Sequence, residues 1–280
     1  MDKEQFNVEI FSKIRDQKQA FFAMEENSDH YLQLIKDLML VRADFDLSLY
    51  RDKYIKGRLY HRVRAMKFGN FQAYYVELQQ NPQEMENLKK LLTIHTTEFF
   101  RNVTPFRYLE KILLPRIHRD LESSTVPIRI LSAPCSTGQE VYSIAIIVHY
   151  LKKVKDIPNP IEIHGLDVDQ RSINIARKGI YKKNIITNIS EKSLNRNFNQ
   201  VDENRFQIKP EIKKYCQFFV HDLFKPLDVG TKFDLVLCRN FLIYISREDQ
   251  ERVIDNLLRC SKKGTYFMFG LTEGLKLMNR

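Results

Sequence analysis

The sequence predicts an α/β protein in which a small N-terminal bundle of helices precedes a Rossmann-like, doubly wound parallel sheet. Three observations predict it. Residues 31–90 space their apolar side chains at helical intervals and contain no strand-like run. From residue 128 onward, short runs rich in branched residues alternate with helical stretches, the pattern of a parallel sheet covered on both faces. The first of these runs ends in PCSTG, a turn of small residues at the strand end where doubly wound sheets place their ligands.

Residues 1–30 are polar and charged with a few aromatics, and read as an N-terminal extension. YLQLIKDLMLV then places Leu34, Ile35, Leu38 and Val41 at three- and four-residue spacing. FDLSLYRDKYIKGRLYHRVRAM continues with Tyr50, Tyr54, Leu59 and Val63 inward and its basic residues outward. Gly69-Asn70 breaks that helix, FQAYYVELQQN is another, and Asn81-Pro82 starts a last one through MENLKKLLTI. Residues 91–127 are expected to form a linker helix.

In the second half, IRILSA (128–133), IEIHGLDVD, FDLVLCRN and TYFMFG read as strands. EVYSIAIIVHYLKKV, QRSINIARKGIY and SREDQERVIDNLLRCSKKG read as helices, the last ended by Gly264. Residues 182–219 interrupt the alternation. There RFQI and YCQFFV read as two short strands parted by Lys209-Pro210, which predicts a small antiparallel insertion beside the parallel sheet.

The 280 residues carry 45 Lys+Arg against 35 Asp+Glu, a formal net charge of +10. Such an excess admits either a polyanionic partner or a solvated basic face. It is focused in one stretch, where Arg51, Lys53, Lys56, Arg58, Arg62, Arg64 and Lys67 are opposed only by Asp52. No aromatic-rich strand pair of the RNA-binding type is visible, so no nucleic-acid partner is expected. Cys135, Cys216, Cys238 and Cys260 form no CxxC pair and the histidines lack ligand spacing, so neither metal nor disulfide is expected. No apolar run approaches the roughly 20 residues of a spanning helix. The N-terminal residues also lack the pattern of a secretory signal. A cytoplasmic protein without membrane insertion is expected.

The strand ends carry the candidate site. Ser132, Ala133, Ser136 and Gly138 let a ligand approach the backbone, but the run is not GxGxxG and gives a dinucleotide little support. Glu140, in the first turn of the next helix, disfavours phosphate and suits an ammonium or sulfonium group; it also complements the helix dipole whatever the ligand. Asp167 ends the second strand, where an acidic residue binds ribose hydroxyls, and Asp169 follows as either a second ligand or a surface carboxylate. His221-Asp222-Leu223 closes a further strand, where Asp222 and Leu223 could bracket an adenine.

Four segments now appear in order: LTIHTTEFFRN (92–102), LSAPCSTGQEVYSIAI (131–146), GLDVDQRSINIARKGIY (165–181) and FDLVLCRNFLIYIS (233–246). Together they resemble the chemotaxis receptor glutamate methyltransferases of the CheR family over roughly residues 31–275. The resemblance implies an N-terminal helical domain for receptor recognition, at 31–90. It further implies a class I (Rossmann-like) methyltransferase domain at 128–280, with a small inserted antiparallel β-subdomain that 182–219 would supply. It implies S-adenosyl-L-methionine as cofactor and S-adenosyl-L-homocysteine as product. His95, Thr97 and Arg101 would line the cofactor and acceptor pocket. Glu140 would hold the methionine portion, Asp167 the ribose, and Asp222 and Leu223 the adenine. Asn240 and Phe241 would close the pocket, and Arg101 and Tyr244 would act at the reacting methyl. Many members carry Asn where this chain has His95 and Asp222, a GHSEN-like segment reads GLTEG here, and relatives continue into a last strand beyond Arg280.

The implied activity is methyl esterification of glutamate side chains on the cytoplasmic helical region of methyl-accepting receptors; the alternatives are a methyltransferase fold acting on another protein or on RNA, and a non-catalytic cofactor-binding scaffold. The acidic methylation region gives the basic stretch a partner, with Arg58, Arg62 and Arg64 as the substrate-binding cations. Some members dock on a receptor C-terminal pentapeptide through a long, glycine-containing loop of the inserted subdomain. Between Phe198 and Arg205 this chain reads NQVDEN, without glycine, so no such tether is expected. A monomer is expected.

Overall fold

The computed structural model describes residues 28–92, 97–121, 123, 125–154, 157–228, 230–271 and 273. The chain divides into two compact units, Met1–Ile94 with Tyr244–Ser246, and His95–Ile243 with Arg247–Arg280. Most of the expected N-terminal extension, residues 1–27, lies outside the described residues.

The first unit holds α1 (Ser28–Ala43), α2 (Asp52–Ala65), α3 (Phe71–Gln80) and α4 (Pro82–Leu92). The breaks are those of the sequence. Asn70 caps α3 by accepting from the Ala73 amide at 2.9 Å, and Asn81 accepts from the Glu84 amide at 3.1 Å where Pro82 opens α4. Ile35, Met39, Ile55, Leu59, Val63, Tyr74, Leu78 and Leu88 are fully buried. The expected stripe of α1 is rotated. Leu32, Ile35, Leu38 and Met39 face the core, while Val41 is 82% exposed, because α1 packs on both α3 and α4 and needs a broader face than one diagonal.

The second unit begins with a turn at residues 97–102 and the helical stretch α5 (Val103–Tyr108), a π-type turn Leu109–Leu113, and α6 (Leu114–Asp120). This stretch was expected as a linker. Instead Phe106, Leu109, Leu113, Leu114 and Ile117 are buried in the same core as the sheet, so it is an integral layer of this unit. There follow β1 (Ile128–Ser132), α7 (Gln139–Val154), β2 (Ile161–Asp167) and α8 (Gln170–Lys178). Beyond the small sheet, the main chain resumes with β6 (Cys216–Val220), β7 (Phe233–Cys238), α11 (Arg247–Arg259) and β8 (Ser261–Phe269). The main sheet has the order β6-β2-β1-β7-β8, and every pairing in it is parallel. β1 lies at its centre: the chain runs outward to β2 and β6 on one side and to β7 and β8 on the other. That reversal makes the carboxyl ends of β1 and β7 the topological switch point.

The small antiparallel sheet is present, with different boundaries. Its strands are β3 (Ile180–Lys182), β4 (Phe198–Asp202) and β5 (Arg205–Ile208), in the order β3-β5-β4, with α9 (Glu191–Asn197) before β4 and the one-turn α10 (Pro210–Lys213) after β5. The expected helix QRSINIARKGIY stops at Lys178, because Gly179 takes a left-handed φ of 65° and caps it, turning IYK into a strand. YCQFFV was expected in the insertion but forms the edge of the main sheet. Cys216–Val220 pairs in parallel with Ile163–Asp167, and Phe218 packs where a Cβ on Gly165 would come within 2.8 Å of its ring.

Candidate active site

The backbone leaving β1 is built around two carboxylates. Asp167, 6% exposed at the end of β2, accepts the Ser136 amide at 2.7 Å and the Asp169 amide at 3.0 Å. Its carbonyl accepts the His221 amide at 3.0 Å, tying the ends of β1, β2 and β6 together. Asp169, by contrast, is spent locally. It caps α8, accepting from the Arg171 and Ser172 amides and the Ser172 hydroxyl. Gly138 was expected to leave room for a ligand. A Cβ there would instead meet the Cβ of Ala176 at 2.8 Å, so this glycine, with φ 91°, serves the packing of α7 on α8.

Glu140 is the second carboxylate. The Ser132 hydroxyl donates to its Oε1 at 2.9 Å and Arg239 Nη1 to its Oε2 at 2.7 Å. Arg239, just past β7, has a side chain only 2% exposed. Its Nη2 donates to the carbonyl of Arg101 at 3.0 Å, and its guanidinium lies 5.2 Å from the centroid of the Phe106 ring. One arginine therefore joins the ends of β1 and β7 to the turn that carries Arg101. Next to it Asn240 takes a left-handed φ of 60°. The amides of Asn240, Phe241 and Leu242 all donate to one carboxylate, Glu273.

The Arg101 turn is held from below. Phe99 is fully buried and meets Tyr181 and Phe198 edge-on at 5.0 and 5.5 Å, and the Phe100 amide donates to Ser143 Oγ at 2.9 Å. Thr97 and Arg101 flank this anchor and are both half-buried. At the end of β6, Asp222 accepts from the Phe224 amide at 3.0 Å, and the carbonyl of the buried Leu223 accepts from Asn256 at 2.9 Å. His95 lies outside the described residues.

No thiolate chemistry is available here. Burial first, then the Asp167 and Glu140 carboxylates, push the Cys135 thiol well up. Burial and then Glu273 and Glu140 do the same to Cys238. Both cysteines are protonated packing groups. Three buried polar atoms lack a hydrogen-bond partner among the described residues: Ser136 Oγ, His221 Nε2 and Arg239 Nε. All three stand just past strands of the main sheet, β1, β6 and β7.

Residues 95–280 match the family model described as CheR methyltransferase, SAM binding domain, and residues 30–93 match CheR methyltransferase, all-alpha domain. The chain belongs to the CheR methyltransferase family. Within this family it is similar to the chemotaxis protein methyltransferase of Borreliella burgdorferi, 30% identical over 255 residues that cover 89% of each chain. It is also similar to that of Listeria monocytogenes, 29% identical over 229 residues (81% of this chain, 84% of that one), and that of Salmonella typhimurium, 28% identical over 259 residues (90% and 86%). It is thus an S-adenosylmethionine-dependent methyltransferase of the chemotaxis system.

The CheR switch point fits that cofactor. Its acidic side chains, Asp167 and Glu140, suit hydroxyl groups and an ammonium, and the unpartnered Ser136, His221 and Arg239 atoms supply further polar groups that burial makes costly to leave unbonded. Of the residues singled out from sequence, Glu140 and Arg101 are joined through Arg239, and Asp167, at the end of β2, accepts the Ser136 amide of the loop leaving β1. Arg239 and Glu273 carry no site signal of their own in the sequence; Arg239 lies inside CRNFLIY, where only the rule that buried charges need partners singles it out. Tyr244 belongs to the first unit, its ring 4.9 Å from that of Tyr54 and its carbonyl accepting the Arg51 amide at 2.9 Å. The three basic side chains of α2 also separate. Arg64 is exposed, Arg58 lies 5.6 Å over the Tyr54 ring, and Arg62 makes a two-point pair with Glu84. Arg62 was expected to contact substrate. Its guanidinium is used inside the fold, because Glu84, 2% exposed, needs a cation there.

Proposed function

We propose that this protein esterifies glutamate side chains on the cytoplasmic helical region of methyl-accepting chemotaxis receptors. The observation that supports the proposal is the Glu140–Arg239–Arg101 linkage, in which one guanidinium bonds the Glu140 carboxylate and the backbone carbonyl of Arg101 and so ties the methionine-side carboxylate to the turn that carries Arg101. S-adenosyl-L-methionine, when bound, supplies an electrophilic methyl group on a sulfonium. The acceptor glutamate, with a reference pKa of about 4.3, is already ionised near neutral pH, so no general base is required. What this chain contributes is orientation, for which well-placed groups can supply up to about 7–11 kcal/mol. Arg101 holds the acceptor carboxylate through paired donors. Its grip is for alignment, since charge on the carboxylate falls as the ester forms and a tighter hold would favour the ground state.

In this reading Asp167 binds the ribose, Glu140 the methionine ammonium, and Asp222 and Leu223 the adenine. His95, Thr97, Asn240 and Phe241 complete the pocket. Arg58 and Arg64 meet the acidic receptor helix, while Arg62 is reserved for Glu84. The enzyme acts in the cytoplasm as a monomer; no helix among the described residues is long and apolar enough to cross a membrane. The β4–β5 hairpin turns tightly through Glu203-Asn204, stitched by Asp202 to the Asn204 amide and Arg205, and this supports recognition without a receptor C-terminal tether. The test is methyl incorporation from labelled cofactor into receptor-bearing membranes and into bulk RNA. Label in the receptor alone is expected; label in RNA, or none in receptor, would overturn the proposal.

A further inference from the structure

We infer that Glu273 is the positioning residue that sets the turn following β7, and through it the shape of the cofactor pocket wall. The inference rests on the reading that Asn240 and Phe241 form that wall. Glu273 is 2% exposed. Its carboxylate accepts four backbone amides: Asn240 at 2.7 Å and Gly270 at 2.6 Å on Oε2, and Phe241 and Leu242, both at 2.7 Å, on Oε1. Three successive N–H groups pointing at one anion require a backbone reversal, and Asn240 supplies it with its φ of 60°. A residue in that conformation is costly and persists only where the surroundings hold it. The carboxylate is the holder.

Two details show that the arrangement needs this anion and this closeness. A Cβ on Gly270 would stand 2.3 Å from Glu273 Oε2 and 3.1 Å from the Asn240 nitrogen, so a side chain there would push the carboxylate off its donors. A glutamine in place of Glu273 could satisfy only two of the four amides, because its NH2 group would face the other two donor to donor. The turn also continues from Arg239, whose side chain reaches Glu140 and the Arg101 carbonyl. A slackened turn therefore disturbs the cofactor wall and the Arg239 frame together.

The experiment compares the full-length wild type with Glu273→Gln, Glu273→Asp and Asn240→Gly. Binding of S-adenosylhomocysteine is titrated, and KM is measured separately for cofactor and for receptor. Glu273→Gln should weaken S-adenosylhomocysteine by about tenfold or more, the scale of one lost charged hydrogen bond. KM for the cofactor should rise with it and KM for the receptor should not, and the amide resonances of 240–242 and 270 should shift together. Glu273→Asp, which keeps the charge but recedes by one methylene, should fall between. Unchanged affinity in Glu273→Gln while Asn240→Gly binds less well overturns the positioning role alone. Unchanged affinity in both removes Asn240 from the cofactor wall, and the inference with it. If Glu273→Gln does not fold, Glu273→Asp decides in the same way; if neither folds, the carboxylate is a folding determinant and the positioning role is overturned.

Discussion

Replacing Arg62 by alanine should unfold the first unit more easily without any receptor being present. In the native bundle Arg62 Nε donates to Glu84 Oε1 at 2.7 Å, its Nη2 donates to Oε2, and the Tyr74 hydroxyl donates to Oε1 at 2.6 Å. Glu84 is 2% exposed and Tyr74 fully buried, so the substitution strands an anion that water cannot reach. Stranding one member of a buried pair costs about 3–5 kcal/mol. The Arg62 side chain is itself 29% exposed, which places the loss toward the lower end, about 3 kcal/mol. At about 4–8 °C per kcal/mol for a unit of this size, the Tm of the first unit should drop by about 12–24 °C. Thermal unfolding followed by circular dichroism reads this directly. The double variant Arg62→Met, Glu84→Met should recover much of the loss, because no charge is then left unpaired. A Tm for Arg62→Ala within about 2 °C of the wild type would refute the reasoning and return Arg62 to the surface cations.

The same group sets a pH dependence. Burial alone would push the Glu84 carboxyl up, but hydrogen bonds from Arg62, Tyr74 and Asn87 outweigh it and hold the carboxyl below its ordinary value. A depressed carboxyl stabilises the fold above the unfolded value of about 4.3, and that contribution is lost as pH falls through the folded value. Acid titration should therefore weaken the first unit below about pH 4, and Glu84→Gln should flatten the profile. Asp167→Ala should weaken S-adenosylhomocysteine by about 1–3 kcal/mol in calorimetry, with unchanged affinity removing Asp167 from the site. Arg101→Ala should abolish methyl transfer in a folded protein, and Arg101→Lys should restore little, since an ammonium cannot reproduce a planar two-point grip. Reversing Arg58 and Arg64 to Glu should raise KM for the receptor, leave cofactor affinity alone and reduce the inhibition by salt, because such steering is screened over about 8–10 Å.

The layered fold was legible because periodicity reports it. The helical spacing of residues 31–90 and the alternation after residue 128 both reflect faces that must be buried. Where two environments share one pattern, periodicity does not separate them. YCQFFV reads as a short strand in either sheet, and only pairing with β2 distinguishes them. Within the 91–127 stretch read as a linker helix, the packing of Val103–Asp120 into the core of the second unit was not legible, because a helix buried on one side looks like any amphipathic helix until its partner is known. At the site, Asp167 and Glu140 were legible from their places after strands. Glu273 was not, because its partners are backbone amides from a loop some thirty residues earlier, and amides leave no trace in a sequence. Arg62 misled for a related reason, since its partner Glu84 lies on another helix and a cation on a basic helix looks solvated until that carboxylate is seen.

The central claim is that this site forms a methyl ester on a receptor glutamate, and identifying the modified atom tests it most directly. Receptor-bearing membranes are incubated with the enzyme and methyl-labelled cofactor, and the labelled receptor is digested, mapped by mass spectrometry and treated with mild alkali. The account predicts label on glutamate residues of the cytoplasmic helices, released as methanol by alkali and absent with Arg101→Ala. Alkali-stable label, label on another residue type, or full labelling by the Arg101 variant would contradict it.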